Sequence, residues 1–305
     1  MKKKEINISD IIAFLGDMLI CVHGNSQNVC IDNFADMEHV TEHTLDWINK
    51  NKLNKQEFAE NTVAKVIIAD PQVLYSKKLN EDGKVLITVA NPRLAIAMII
   101  EEFFVDKDKV GIHPHSTIHP DAIIDNTATI GPGCVIGKVT IGKNTILKPN
   151  VVLYDDVVLG DNCLIQAGAV IGTDGLGCMR EKDGKLRKFP HIGGVVIGND
   201  VEIGANCQIA KGVLSDTIIK NGCKINGMCF IAHNCVLEEN VWITGDTMLC
   251  GTVHVGKNVT IFSNVIVRDQ RNIGERATIG MGSVVTKDIP VGETWVGNPA
   301  RKLSK

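Results

Sequence analysis

Aromatic side chains are scarce in this 305-residue chain, at 4%, while 44% of residues are hydrophobic and 29 are glycine. That balance speaks against a helical bundle and for short aliphatic strands joined by tight turns. No run reaches the roughly 18 uninterrupted apolar residues of a membrane span, so none is expected. A cationic surplus is missing too: the net charge of −3 and a pI near 6.3 exclude a basic nucleic-acid footprint and favour small-molecule chemistry. The ten cysteines show no C-x-x-C spacing and read as reduced, mostly buried small hydrophobes. Met1–Lys4 precede an apolar patch, but Asp10, Gly16 and Asp17 break it and no small-residue cleavage site follows. A cytoplasmic protein is the expectation.

Two domains and a short tail are expected: 1–105, 106–290 and 291–305. The first reads as a small α/β domain that binds a nucleotide or sugar. Ser9 or Asp10 can cap a helix with Ile11, Ile12, Phe14 and Leu15 on its apolar face. Ala64–Ala69 and Lys84–Val89 look like buried strands, and Asn91-Pro92 opens a helix through Leu94–Phe104. His43–Leu53 is a polar stretch holding Trp47, which is either a surface ring packed on its own domain or a platform for a nucleotide base.

From Ile118 the pattern has a period of six. Aliphatics fall at Ile118, Ile124, Ile130 and Ile136, slip by one, and resume at Ile141 through Ile171. They return at Ile197, Ile203 and Ile209, and after a second break run without error from Ile219 to Val285. Neither a helix nor a simple strand has that period; a parallel β-helix does, with one short strand and one corner per hexad. Three rungs close a triangular coil, so residues 18 apart lie above one another. Glycine often follows the aliphatic, as a corner with little side-chain space favours. The breaks, 172–194 and 210–216, should leave the coil as loops on a binding face.

The segments GTDGLG, KFPHIGGVVIGNDVEIGANCQIAKGVLSDT and CKINGMCFIAHNCVL resemble the UDP-3-O-acylglucosamine N-acyltransferases of lipid A biosynthesis, within the hexapeptide acyltransferases. The resemblance runs from about Ile6 to Thr247 and is most specific at IAHN. It implies a mainly β fold, a left-handed parallel β-helix with a small N-terminal α/β domain, assembled as a homotrimer with active sites between subunits. It also implies that His233 is the catalytic base, that Gly251 supplies an oxyanion N–H from one coil above, and that Trp47 stacks on uracil. The sequence departs from the family's pattern at several positions, some of which line its sugar or lipid path: Lys50 and Leu53 replace asparagine and tyrosine, Ala210-Lys211 replaces Asp-Arg, Asn226-Gly227 replaces Asp-Asn, Gln270 replaces a second histidine, and Leu176 replaces phenylalanine. The tail DIPVGETWVGNPARKL instead resembles the ending of hexapeptide enzymes that use acetyl-CoA or another acyl-CoA.

An amine attacking a thioester needs a base, a donor for the developing oxyanion, and orientation. Histidine, with an ordinary pKa of about 6.5, suits the first role and typically contributes about 10²–10⁴-fold; a fixed backbone N–H suits the second. The expected reaction is N-acylation of a nucleotide-linked amino sugar, with acyl-CoA or acyl carrier protein as co-substrate and no tightly bound cofactor or metal. His191 reads as a loop residue or as a contact to substrate hydroxyl or phosphate, and Lys287 and Arg301 as contacts to CoA phosphates or as solvated charge. His113, His115 and His119 lack a companion ligand set and read as a solvated junction. Cys178, Cys229 and Cys250 are expected to fill the coil or its subunit contacts. The rivals are the lipid A enzyme proper, a γ-type carbonic anhydrase, which the missing H-x-x-x-x-H spacing disfavours, and a non-catalytic scaffold.

Overall fold

A computed structural model describes residues 5–35, 38–106 and 108–303, which divide into two compact units, Met1–Lys107 and Asp108–Lys305. The first unit holds a four-stranded sheet in the order Leu19–His23, Val85–Val89, Val66–Ala69, Leu45–Trp47. Its two central strands are the apolar runs of the sequence, buried throughout. Asn91 accepts a hydrogen bond from the Leu94 N–H at 3.2 Å and so starts the helix Pro92–Ile99, which continues as a π turn over Ile100–Phe104. One expectation is corrected here. The helix Ile8–Leu15 is capped by Asn7 rather than Ser9 or Asp10, because Asn7 has the extended backbone that aims its side chain at the Ser9 N–H, 3.0 Å away. Leu45–Trp47, inside the polar stretch, is an edge strand: parallel pairing with Val66–Ala69 satisfies its backbone while Leu45 enters the core.

The second unit is a three-sided coil. Strands of two to four residues pair in parallel with those one coil above and below, in sheets of 11, 9 and 8 strands. The register follows the hexads: Ile225 lies opposite Ile243, Ile231 opposite Leu249, and Leu237 opposite Val255. At the slip, Ile136 pairs with Leu153, so the coil loses one residue at a corner without losing a ladder pair. At the breaks Leu159 pairs with Ile197 and Ile197 with Ile219, so both insertions are extruded while the ladder continues. Within 291–303 the chain also joins the coil. Thr294–Val296 pairs in parallel with Thr278–Ile279, and Arg301–Lys302 folds back antiparallel on it.

Packing explains why the period is six. The hexad aliphatics point to the axis, Ile203, Ile209, Ile231, Leu237 and Ile243 being fully buried. Two residues before each stands a smaller buried side chain, such as Cys207, Cys229, Thr247 or Val265, filling the inside of the corner. Corners are turned by residues at positive φ, among them Asn144, Asn162, Asp200, Asn240 and Asn258; Asn and Asp tolerate that conformation through local hydrogen bonding. The glycine after the aliphatic answers a different need. A Cβ on Gly204 would lie 2.2 Å from the Gly227 nitrogen of the next coil.

All ten cysteines are free, and Cys134, Cys163, Cys207, Cys223, Cys229 and Cys235 are buried. Burial pushes the Cys223 thiol up to about 11 and that of Cys235 to about 12, so neither is a nucleophile at neutral pH. Cys178 does not fill the coil: it is exposed on the strand Cys178–Arg180 of an inserted hairpin, which leaves only the subunit-contact half of that expectation. Under native conditions iodoacetamide should therefore modify Cys178 fastest and leave the six buried thiols intact, a pattern that peptide mass mapping reads directly.

Candidate active site

His233 stands at the corner after strand Phe230–Ile231 of the nine-stranded sheet, and is half-buried. Gly251 occupies the same corner one coil above. A Cβ there would lie 2.5 Å from His233 Cε1 and 2.7 Å from Nε2, so only glycine leaves the imidazole its position. The Thr252 N–H donates to the His233 carbonyl, and the Gln270 N–H to the Gly251 carbonyl, both at 2.9 Å. Among the described residues, no hydrogen bond engages the Gly251 N–H. Asn234, Thr252 and Gln270 share this column, all with φ near 60°. For the β-branched Thr252 that conformation is strained, at a cost of about 1–3 kcal/mol.

The orientation of His233 is set by Asn234. The Asn234 Nδ2 donates to the Ser215 carbonyl at 2.9 Å and to its hydroxyl at 3.0 Å, which turns Oδ1 toward the Val213 N–H at 3.0 Å and His233 Nδ1 at 3.3 Å. An amide oxygen only accepts, so Nδ1 carries the hydrogen and Nε2 keeps its lone pair beside Gly251. Sequence reasoning gave Asn234 no role. Its signal was the hexad itself, which puts an Asn side chain at a left-handed corner directly after the histidine.

The two insertions are sewn to this corner and to each other. The Ile192 N–H donates to the Val213 carbonyl at 2.8 Å and the Lys211 N–H to the Thr173 carbonyl at 2.9 Å. Asp174 is paired with Lys188 at 2.5 Å and Lys211 at 3.3 Å, and these ammonium groups hold its carboxyl below the usual range. His191 thereby comes to lie edge-on to His233, with ring centroids 5.4 Å apart and an interplanar angle of 76°. Gly175 packs against both rings, and a Cβ on it would lie 2.7 Å from His191 Nε2 and 3.1 Å from His233 Cδ2. Leu176 beside it is almost fully exposed.

Of the other singled-out residues, Gln270 is in the His233 column, and exposed Lys287 follows Val284–Val285 of the same sheet, further up the coil. Asn226 sits at the opposite end of the His233 rung, where it lines a cavity of about 380 Å³ with Gln166, Glu202, Lys224 and Trp242. Within one chain it does not join the His233 corner. Arg301 is exposed in the eleven-stranded sheet, donating from Nη1 to the Ala300 carbonyl at 2.8 Å. Trp47, half-buried against the sheet, and exposed Lys50 belong to the first unit. A cavity of about 600 Å³ in that unit is lined by Asp46, Lys52, Leu53, Phe58, Asn61 and Thr62. His113 and His119 turn Nδ1 onto the N–H groups of His115 and Asp121, and among the described residues no three His, Cys, Asp or Glu side chains are grouped to hold a metal ion.

The second unit thus defines a left-handed parallel β-helix of hexapeptide repeats. Residues 138–173 match the family model described as bacterial transferase hexapeptide (six repeats). The chain is 36% identical over 139 residues to a UDP-3-O-acylglucosamine N-acyltransferase of Helicobacter hepaticus, covering 46% of this chain and 43% of that one. It is 39% identical over 135 residues to the like-named protein of Wolinella succinogenes, covering 44% and 42%. The matched part spans less than half the length of these relatives. Among solved structures, a UDP-N-acetylglucosamine acyltransferase of Francisella novicida is 30% identical with a TM-score of 0.50, covering 64% of this chain and 70% of that one. A UDP-N-acetylglucosamine O-acyltransferase of Moraxella catarrhalis is 26% identical with a TM-score of 0.58, covering 63% and 74%. The chain belongs to the hexapeptide-repeat acyltransferases.

The contact between Gly251 and the imidazole can be tested without substrate. Gly251→Ala should shift the His233 ring resonances in a spectrum of isotopically labelled histidine and leave those of His23 and His113 unmoved; an unchanged His233 signal would mean that the ring does not lie under residue 251.

Proposed function

We propose that the chain is an N-acyltransferase that moves an acyl group from a thioester, acyl-CoA or acyl carrier protein, to the amine of a nucleotide-linked amino sugar. The observation that carries this reading is a half-buried imidazole whose Nδ1 is engaged by Asn234 and whose Nε2 lies against Gly251, a residue whose N–H no hydrogen bond engages among the described residues. In the proposed step the amine nitrogen adds to the thioester carbonyl carbon as His233 Nε2 takes one of its protons. The oxyanion that forms is held by the Gly251 N–H. Collapse breaks the C–S bond, and the same proton passes from Nε2 to the leaving sulfur, giving an amide and a free thiol. The donor is consumed as a co-substrate, and the scheme uses no bound cofactor.

A UDP-linked sugar is the first acceptor to test, because the curated relatives and the solved structures alike carry names of enzymes acting on UDP-linked glucosamine derivatives. In this reading Trp47 and Lys50 bind the nucleotide, Asn226, Gln270 and His191 face the sugar or acyl path, and Lys287 and Arg301 meet the phosphates of CoA. We also read the protein as a homotrimer with sites between subunits. What supports this is the outward face of the nine-stranded sheet near His233, where Phe230, Met248 and Ile266 form an apolar stripe with Met248 and Ile266 each 41% exposed. Such stripes mark association surfaces.

His233→Ala should lower kcat on the order of 10²–10⁴-fold with acceptor binding retained, and Asn234→Ala should lower kcat with little change in KM. Full turnover by His233→Ala in a thioester assay with UDP-amino sugars would remove the proposed base. For the assembly, light scattering should give a three-chain mass that falls in Met248→Glu; a monomeric wild type would refute the trimer.

A further inference from the structure

We infer that His191 is an acceptor-binding residue that makes the site selective for an amine over a hydroxyl; the inference rests on the reading of His233 as the base. His191 is only 5% exposed. Its Nδ1 lies 3.0 Å from the Phe189 carbonyl, which can only accept, so Nδ1 carries the ring hydrogen and Nε2 is a bare acceptor. That Nε2 is buried and has no hydrogen-bond partner. Buried acceptors are ordinarily satisfied, and this one is completed by a group that carries a hydrogen.

The position of Nε2 says which hydrogen. Gly175 packs against both His191 Nε2 and His233 Cδ2, the ring carbon bonded to the base nitrogen, so the bare acceptor lies near the Cδ2 edge of His233, next to the nitrogen that takes the proton. A neutral primary amine has two N–H bonds. As its lone pair adds to the thioester carbonyl, one hydrogen leaves to His233 Nε2 and the other is held by His191 Nε2. A hydroxyl has one hydrogen, which His233 takes, and leaves His191 Nε2 unsatisfied. A site with two imidazole acceptors is therefore matched to nitrogen, and loss of one acceptor should cost the amine more than the alcohol.

The test uses the full-length protein with acetyl-CoA and a hydroxyacyl carrier protein as donors, and UDP-linked sugars bearing an amine at C2, C3 or C4, each beside its hydroxyl counterpart. The wild type should prefer the amine. His191→Phe should lower kcat/KM for the amine about 10- to 100-fold more than for the hydroxyl sugar, and so collapse the ratio. His191→Gln, whose amide oxygen can accept, should restore most of it, with the melting temperature of each variant checking the fold. Independently of turnover, the labelled His191 Nε2 resonance should move when the amino sugar is added and not when its hydroxyl counterpart is. An amine-to-hydroxyl ratio that survives His191→Phe while His233→Ala is inactive overturns the role of His191 alone. Full activity in His233→Ala overturns the base, and a wild type that acylates neither sugar with an unmoved His191 signal overturns both.

Discussion

Stacking of backbone on backbone is the constraint from which the second unit follows. Parallel ladders hold successive coils about 4.8 Å apart, so each corner lies directly over the one before and a side chain at one level is felt at the next. Gly204 and Gly251 obey the same steric rule. One must admit the Gly227 backbone and the other the His233 ring. A reactive side chain in such a coil is placed by what is omitted above it as much as by its own rung.

The insertions add what a regular coil lacks. A hexad offers one outward side chain per strand and a corner, which is too sparse to surround a small molecule. By leaving the ladder after Thr173 and again after Ala210, the chain gains a wall that returns to the His233 corner through the bonds of Ile192, Lys211 and Val213. Asn234 joins these pieces. It closes the shorter loop onto the coil while fixing the tautomer of its neighbour.

Much of the coil was legible because its determinant is local and repeated: an aliphatic every six residues, a small residue inside the corner, and Asn, Asp or Gly where φ turns positive. His233 and Gly251 were legible for the same reason, since 18 residues in a three-sided coil means one level. Other features were not. Asn7 outcompeted Ser9 and Asp10 as a cap through backbone conformation, and Leu45–Trp47 became a strand only because Val66–Ala69 offered an edge. Cys178 looked like filler for the coil or its subunit contacts, yet it lies outside the coil in a hairpin whose path no hexad dictates.

The sequence by itself determined the period, the axis-facing core and the corner that carries the imidazole, because each depends on residues a fixed number of steps apart. Only the tertiary structure decided that His191, forty-two positions earlier and outside the repeat, stands 5.4 Å from His233 with an unpaired nitrogen. The physical reason is that an extruded loop has no register of its own. Its path is set by hydrogen bonds to distant segments, and those exist only once the coil has formed.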